Sequence, residues 1–258
     1  MTDRLKITFL GTGTSQGVPV IACPCPVCHS KDSKDKRLRS AILIEKRNTT
    51  VIIDTGPDFR YQMLRAGVKK LDAVLLTHQH KDHTAGLDDI RAFNYLQKKA
   101  MPVYCEKHVW DSLYNEFAYI FAENKYPGIP EIDPHMITDN DFFQIGAMKF
   151  RTIRVTHKEL PVLGFRTDDF AYITDANVIP ESEMEKLKGL KVLVINALRK
   201  KKHISHFTLS EALAIIKILK PKKAYLTHIS HSMGFHRKIT KELPDNVELA
   251  YDKLSFLL

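Results

Sequence analysis

The sequence predicts an α/β fold in which two β-sheets pack face to face with helices on the outside. Three observations lead there. Strand-like runs pair with one another in the first part of the chain and alternate with helical segments later. Candidate ligand residues follow directly on short apolar runs, where open α/β sheets hold their sites, beyond the carboxyl ends of strands. Two of these runs end in the same tripeptide, Leu76-Thr77-His78 and Leu226-Thr227-His228, as equivalent strands in two halves of one architecture would.

Taken in order, Ile7–Leu10 is a strand and Gly11–Gly17 a turn. The spacing Gly11-x-Gly13-x-x-x-Gly17 is not the dinucleotide fingerprint, and Pro19 and a cysteine loop follow where that motif would open a helix. Ala41–Glu45 and Thr50–Ile53 form a hairpin around Lys46-Arg47-Asn48, and Ala73–Leu76 is a buried strand. Leu87, Ile90, Phe93 and Leu96 recur at helical spacing and predict an amphipathic helix over residues 85–99. The aromatic segment Trp110–Phe121 reads as a packing helix. Phe150–Thr156, Phe170–Thr174 and Val192–Ile195 are strands. Thr208-Leu209-Ser210-Glu211 has the form of a capping box, opening a helix through Leu219 that Pro221 ends, before the strand Ala224–Thr227. No Pro/Gly/Ser-rich linker divides the 258 residues, so one domain over 1–258 is expected.

Hydrophobic content of 44% and charged content of 27% are those of a soluble globular chain, and no solenoid repeat or low-complexity tract appears. The N-terminus lacks the apolar core of a signal peptide, and no apolar run reaches the length of a membrane span. A cytoplasmic location without membrane contact is therefore expected. The net charge of +9, with the run Arg199-Lys200-Lys201-Lys202 contributing, favours anionic partners, phosphorylated metabolites or nucleic acid.

The chemistry concentrates in Thr77-His78-Gln79-His80-Lys81-Asp82-His83, behind the strand Ala73–Leu76. In an extended segment alternate side chains share a face, so His78 and His80 can enter one pocket while Asp82 and His83 swing toward an adjacent point. Imidazole and carboxylate suit zinc, manganese and iron at neutral pH, so the segment reads as half of a dinuclear metal site. His157, Asp175 and His228, each behind a strand-like run, supply the other half. Cys23-x-Cys25-x-x-Cys28 holds three of the four cysteines, and in a chain without an export signal it reads as a zinc loop that needs a fourth ligand. His29 is adjacent, but would have to fold back at once on Cys28. Cys105 reads as a buried core thiol, and His108, His135 and His236 as surface residues.

These residues resemble the metallo-β-lactamase superfamily, through His78-x-His80-x-Asp82-His83, His157, Asp175 and His228, with Asp54 in Val51-Ile52-Ile53-Asp54-Thr55-Gly56. The resemblance runs from about Ile7 to Leu254. Gly11–Pro19, Cys23–Cys28 and Thr227-His228-Ile229-Ser230-His231 narrow it to the PhnP-like phosphodiesterase branch, whose better-known member cleaves a ribosyl cyclic phosphate. It implies an αββα sandwich holding two divalent ions, zinc or manganese. His78, His80 and His157 would hold one and Asp82, His83 and His228 the other, with Asp175 bridging and Asp54 beneath. It also implies one structural zinc, with His231 as the fourth ligand.

The expected reaction is hydrolysis of a small, linear or cyclic phosphodiester by a hydroxide shared between the two ions, with Asp82 steering the nucleophile. His206, two residues before the capping Thr208, aligns with the proton donor of the branch and is preferred to His203. Between about Tyr104 and Ile145 the chain departs from the branch, which bears on substrate choice. A tRNase Z-like ribonuclease fits the charge, but no Gly/Lys-rich arm is present, so nucleic acid is the less favoured partner. A glyoxalase II-like thioesterase would need neither the cysteine loop nor a proton donor. A zinc-stabilised binding module would need no open metal position. A homodimer is left open.

Overall fold

The computed structural model describes residues 3–123 and 126–258. Met1 and Thr2 of the N-terminal lead-in, and residues 124–125 of the 104–145 segment expected to depart from the branch, lie outside the described residues. Among the described residues there are two seven-stranded sheets. The first contains β1 (Lys6–Gly11), β2 (Ala41–Lys46), β3 (Thr49–Ile53), β4 (Ala73–Leu75), β5 (Met101–Cys105) and β6 (Ile132–Met136). The second contains β7 (Phe142–Ile145), β8 (Met148–His157), β9 (Leu160–Thr167), β10 (Phe170–Ile173), β11 (Val192–Asn196), β12 (Lys223–Thr227) and β13 (Val247–Leu249). β14 (Ser255–Leu257) returns to the first sheet beside β1. In each sheet an antiparallel meander passes into parallel strands: β1–β2–β3 antiparallel before β3–β4–β5–β6 parallel, β7–β8–β9–β10 antiparallel before β10–β11–β12–β13 parallel. Two halves of one plan are thus visible, as the repeated Leu-Thr-His suggests.

Strand alternation builds three apolar layers. Ile7, Phe9, Ile42, Ile44, Val51, Ile53 and Leu75 face Phe150, Phe165, Tyr172, Val194 and Tyr225 between the sheets. The opposite faces of the strands bury Leu43, Ile52 and Val74 under one helix layer and Ile153, Leu193 and Ile195 under the other. Burying each of these side chains contributes about 1.5–3 kcal/mol, so this pattern is the main force behind the sandwich.

Helix Leu209–Leu219 starts as its sequence specifies. Thr208 Oγ1 accepts from Glu211 N at 3.2 Å, and Glu211 Oε2 accepts from Thr208 N at 2.8 Å. The continuous helix expected over 85–99 is not found. A helical turn already runs over Lys81–Thr84, a 3-10 turn covers Leu87–Ile90, and an α-helix covers Arg91–Gln97. The cause is a close backbone approach at Gly86, whose N–H donates to Thr55 O at 2.8 Å. A Cβ there would stand 2.1 Å from Gly56 O, so only glycine fits, and the chain is drawn off the α path. The 110–121 segment is a packing element as expected. Its helix Lys107–Glu116 breaks at Phe117 and resumes over Ala118–Phe121, burying Val109, Leu113, Phe117 and Ile120 beneath the first sheet.

The expectation of a surface residue holds for His135, whose side chain is 40% exposed, and is corrected for His236. His108 and His135 are half-buried, His135 stacked on Tyr104 at 4.4 Å. His236 is buried, its Nδ1 3.1 Å from the Arg37 guanidinium and its backbone N–H donating to Asp35 Oδ1 at 2.7 Å. Arg37 in turn donates to Thr12 and to Ala250 O, so the cluster ties the N-terminal segment to the last strands. The sequence shows only the residue type at 236, not the cationic neighbour that arrives from 199 residues away.

Burial first, then the Arg37 charge, pushes His236 down to about 4. An imidazole in an unfolded chain titrates near about 6.5. Between these values the unfolded chain binds a proton that the folded chain refuses, so stability falls as pH drops from about 6.5 toward 4. His236→Gln should remove this component. Melting temperatures at pH 7 and pH 5 should show a larger loss for the parent protein than for the variant, and equal losses would show that His236 folds without this constraint.

Candidate metal centres

The carboxyl ends of strands from both sheets meet at one edge of the sandwich. β3 delivers Asp54, β4 delivers Thr77 and His78, β8 ends on His157, β10 delivers Asp175 and β12 delivers His228. Asp54, Asp175 and His228 have left-handed backbones, with φ of 68°, 51° and 55°. Each therefore turns sharply at its strand end, a conformation that persists only where the surroundings enforce it. The helical turn Lys81–Thr84 brings Asp82 and His83 back over the same edge, and Gly56 lets it lie close, since a Cβ there would be 2.1 Å from Asp82 O.

Asp175 stands at the centre. Its Oδ2 is 3.3 Å from His83 Nε2, 3.6 Å from His78 Nε2 and 3.6 Å from His206 Nε2, and its Oδ1 is 2.9 Å from His228 Nδ1. Three groups of potential ligand atoms share it: Asp82, His83 and His228; His78 and His80; His157 and His206. All the active-site residues read from the sequence are brought together. One grouping differs from the expectation. The His157 nitrogen lies with Asp175 and His206 rather than with His78 and His80, although its ring remains 5.2 Å from that of His80.

Hydrogen bonds decide which ring nitrogens are free. Asp54, fully buried, accepts from Thr77 N at 2.9 Å and from Thr77 Oγ1 at 3.0 Å, and lies 2.7 Å from His83 Nδ1. The single Thr77 hydroxyl proton goes to Asp54, so His78 Nδ1, 3.0 Å from that hydroxyl, must be the donor to it. His157 Nδ1 donates to Ser205 O at 2.7 Å. His78 and His157 therefore each keep one N–H on the protein and turn a bare Nε2 lone pair into the site, and His83, held at Nδ1 by Asp54, turns its Nε2 to the same place, which is how metal-ligating histidines are oriented. His83 Nε2, His206 Nε2 and His228 Nδ1 are buried without a hydrogen-bond partner among the described residues. Buried polar atoms left in this state need an explanation, and a cation at their focus supplies one.

Charge points the same way. Burial holds His78 well below the ordinary imidazole range and His157 at about 4, so both present neutral rings. Burial works against ionisation of Asp82 and Asp175, yet His83 and His228 hold both carboxyls below their usual range. Burial likewise favours neutral His83, but Asp82, Asp175 and Asp54 outweigh it and raise the ring well above its usual value. Two buried carboxyl groups, of Asp54 and Asp175, and the partly buried Asp82 thus converge on one imidazole, and divalent cations complete that balance better than a single proton.

The cysteine loop forms a second cluster. His231 Nδ1 is 3.3 Å from Cys23 Sγ, 3.3 Å from Cys25 Sγ and 3.5 Å from Cys28 Sγ. Zinc bound at ~2.3 Å to sulfur and ~2.0–2.1 Å to nitrogen gives tetrahedral S···N edges of about 3.5 Å, so the donor set fits. The backbone N–H of Cys28 lies on Cys25 Sγ at 3.4 Å and, first among several causes, pulls that thiol down to about 6. His29 points instead at Cys25 O, 3.2 Å away, and stands outside the cluster. Cys105 is buried in the core, as expected.

His206 is buried in the His/Asp site, stacked on His228 at 4.9 Å, with its Nδ1 3.1 Å from Ser205 Oγ and 3.2 Å from His203 Nδ1. Sequence reasoning missed the supports. Ser205 holds both His157 and His206, Thr77 sets the His78 tautomer, and Asn196 at the end of β11 grips both the N–H and the C=O of Ala176, behind Asp175. Thr77 was visible in the repeated Leu-Thr-His; Ser205 and Asn196 carry no local signal.

A family profile described as beta-lactamase superfamily domain matches residues 49–229, from β3 to just past His228. The chain belongs to the metallo-β-lactamase superfamily. Within that superfamily, the crystal structure of a diphosphatase from the PhnP family superposes with a TM-score of 0.93 at 38% identity, covering 99% of this chain and 97% of that one. A protein of Porphyromonas gingivalis named octanoyltransferase is 38% identical over 98% of this chain and 52% of its own length. A ribonuclease Z of Salinibacter ruber is 29% identical over 38% of this chain and 27% of its own length. The chain thus spans about half the length, or less, of these curated relatives. The cysteine loop and His231 lie outside the profile match. No helix among the described residues is long and apolar enough to cross a membrane.

Zinc at a structural site can contribute ~10–16 kcal/mol to folding. Losing even ~3 kcal/mol of that shifts the melting temperature of a chain of this size by roughly 6–12 °C. Cys25→Ser should show such a drop while the His/Asp site still takes up metal, and His231→Ala should match it. An unchanged melting temperature in both variants would remove the structural-zinc assignment.

Proposed function

We propose that this superfamily member is a metal-dependent phosphodiesterase acting on a small anionic phosphodiester. The observation that carries the reading is the set of anchored histidines whose free nitrogens face a shared Asp175. In this reading His78, His80 and His157 would hold one divalent ion and Asp82, His83 and His228 another, with Asp175 available to both, and Cys23, Cys25, Cys28 and His231 would hold a zinc. Two divalent ions at such a site, zinc or manganese, lower the pKa of water and neutralise charge on phosphoryl oxygens.

The chain's own residues supply the rest. Asp82, one-tenth exposed at the side chain, aims the attacking water through a carboxylate oxygen. His206 turns Nε2 toward Asp175 while Ser205 and His203 hold its other nitrogen, an arrangement that suits a proton donor to a leaving alkoxide. Burial lowers His206 below the ordinary imidazole range, so the donated proton is loosely held. The PhnP-family diphosphatase supports phosphorus chemistry at this fold. A second reading, cleavage of RNA, draws on the ribonuclease Z relative and the net charge of +9. The octanoyltransferase name describes a protein about half of which lies outside the match, so acyl transfer is not favoured here.

A poor alkoxide leaving group needs a proton, whereas nitrophenolate leaves largely unaided. His206→Ala should therefore slow an alkyl or cyclic phosphodiester about a hundredfold or more, the usual contribution of general acid catalysis, and an aryl diester much less. Metal content should stay at two ions in the His/Asp site. Equal slowing of both substrates, or a changed metal content, would make His206 a ligand or phosphate contact. Efficient thioester cleavage indifferent to His206 would overturn the phosphodiesterase reading.

A further inference from the structure

On the outer face of the first sheet the helix layer stops short. Helix Phe59–Ala66 covers the ends of β1 and β2 nearest the metal centre, where Leu10 and Leu43 are buried against Phe59 and Met63. The opposite ends of those strands stay open. Their register sets Lys6 beside Glu45 and Glu45 beside Thr50 in one row, and Ser255, Thr8 and Leu43 in the next. These rows belong to the lining of an open groove of about 470 Å³, together with Arg65, the segment 66–70 behind the helix, and Lys253. The groove shares no residue with either metal cluster among the described residues.

Five cations line it, Lys6, Arg65, Lys69, Lys70 and Lys253, against one carboxylate, Glu45. Glu45 is engaged by Lys6 at 2.9 Å, Lys70 pairs with Asp72 at 2.9 Å, and Arg65 pairs with Asp252 at 3.3 Å. Lys69 and Lys253 form no ion pair among the described residues, and both line the groove. Lys253 is held in a left-handed conformation, φ 73°, with its N–H on Phe9 O at 2.8 Å, so its place at the groove is fixed by the backbone. The hydroxyls of Thr8 and Ser255, 3.0 Å apart, make part of the lining polar.

We propose that this groove is a second anion-binding site, for a small phosphorylated ligand, remote from the metal centre. Its volume lies within the roughly 300–1,000 Å³ of small-molecule sites. Two ammonium groups without an ion-pair partner on the lining of one groove suit a group with more than one negative charge and several acceptor oxygens, which a phosphate has and a single carboxylate lacks. Arg65 belongs both to this lining and to the support of the metal edge. It donates to Leu10 O and pairs with Asp252, which accepts from Thr12 at 2.9 Å, and Thr12 O accepts from Ile229 N, next to His228.

Pyridoxal 5′-phosphate, which forms a reducible Schiff base with lysines beside bound phosphate, tests the site on the metal-loaded protein. After limiting reagent and borohydride, peptide mapping should find Lys69 and Lys253 modified ahead of the other surface lysines by about tenfold, the ratio that ~1.4 kcal/mol of phosphate attraction gives. Inorganic phosphate should protect them, and pyridoxal without its phosphate should lose the preference. The double variant Lys69→Gln, Lys253→Gln should show no preferred label, with melting temperature and basal turnover unchanged. Labelling spread evenly over surface lysines, equal labelling by pyridoxal, absence of protection by phosphate, or preferred labelling at Lys201 and Lys202 would overturn the proposal.

Discussion

The attraction between one buried carboxylate and the imidazoles around it organises the functional edge of this protein. Asp175 is almost fully buried where the two sheets meet, and no charged group survives in such a place without compensation. The compensating rings arrive from β4, from the turn behind it, from β12 and from the loop before helix Leu209–Leu219. Pairing both sheets against each other places those strand ends within reach, so the apolar core and the polar edge specify the same arrangement. Asp54 has the matching role a layer deeper, fixing Thr77 and His83 and through them the direction in which His78 points.

The edge is also braced from outside. The Gly11–Gly17 turn grips the residue after His228: Ile229 N donates to Thr12 O at 2.9 Å, and Thr14 N donates to Ile229 O at 3.3 Å. Two residues further on, His231 enters the cysteine cluster. Ser230 donates to Leu198 O, whose own N–H bonds Phe207 O, next to His206. One short stretch, 228–231, therefore joins the metal centre, the cysteine loop and the segment that presents His206.

Much of this was legible in the sequence because the ligands follow strands directly and the strands are apolar runs with β-branched residues. The His78–His83 cluster, the hairpin of β2 and β3 and the capping box at Thr208 are local signals, and local signals survive without an alignment. What was not legible depends on distant partners. β6, β7, β13 and β14 are short, partly exposed strands whose identity comes from pairing rather than from pattern. The break at Gly86 comes from the backbone of Gly56, and the burial of His236 from Arg37. The choice between His29 and His231 is likewise one of chain path, since both lie at plausible spacing from some cysteine.

The left-handed corners at Asp54, Asp175 and His228 set a limit on how far this scaffold can be stabilised. A residue with a Cβ in that conformation costs roughly 1–2 kcal/mol, and glycine would relieve it at each corner. Glycine would also delete the side chain around which that edge is arranged. Mutational routes that relax backbones across the rest of the fold are closed at these three positions, so some of the thermal robustness open to a sandwich of this size is permanently forgone by keeping the edge as it is.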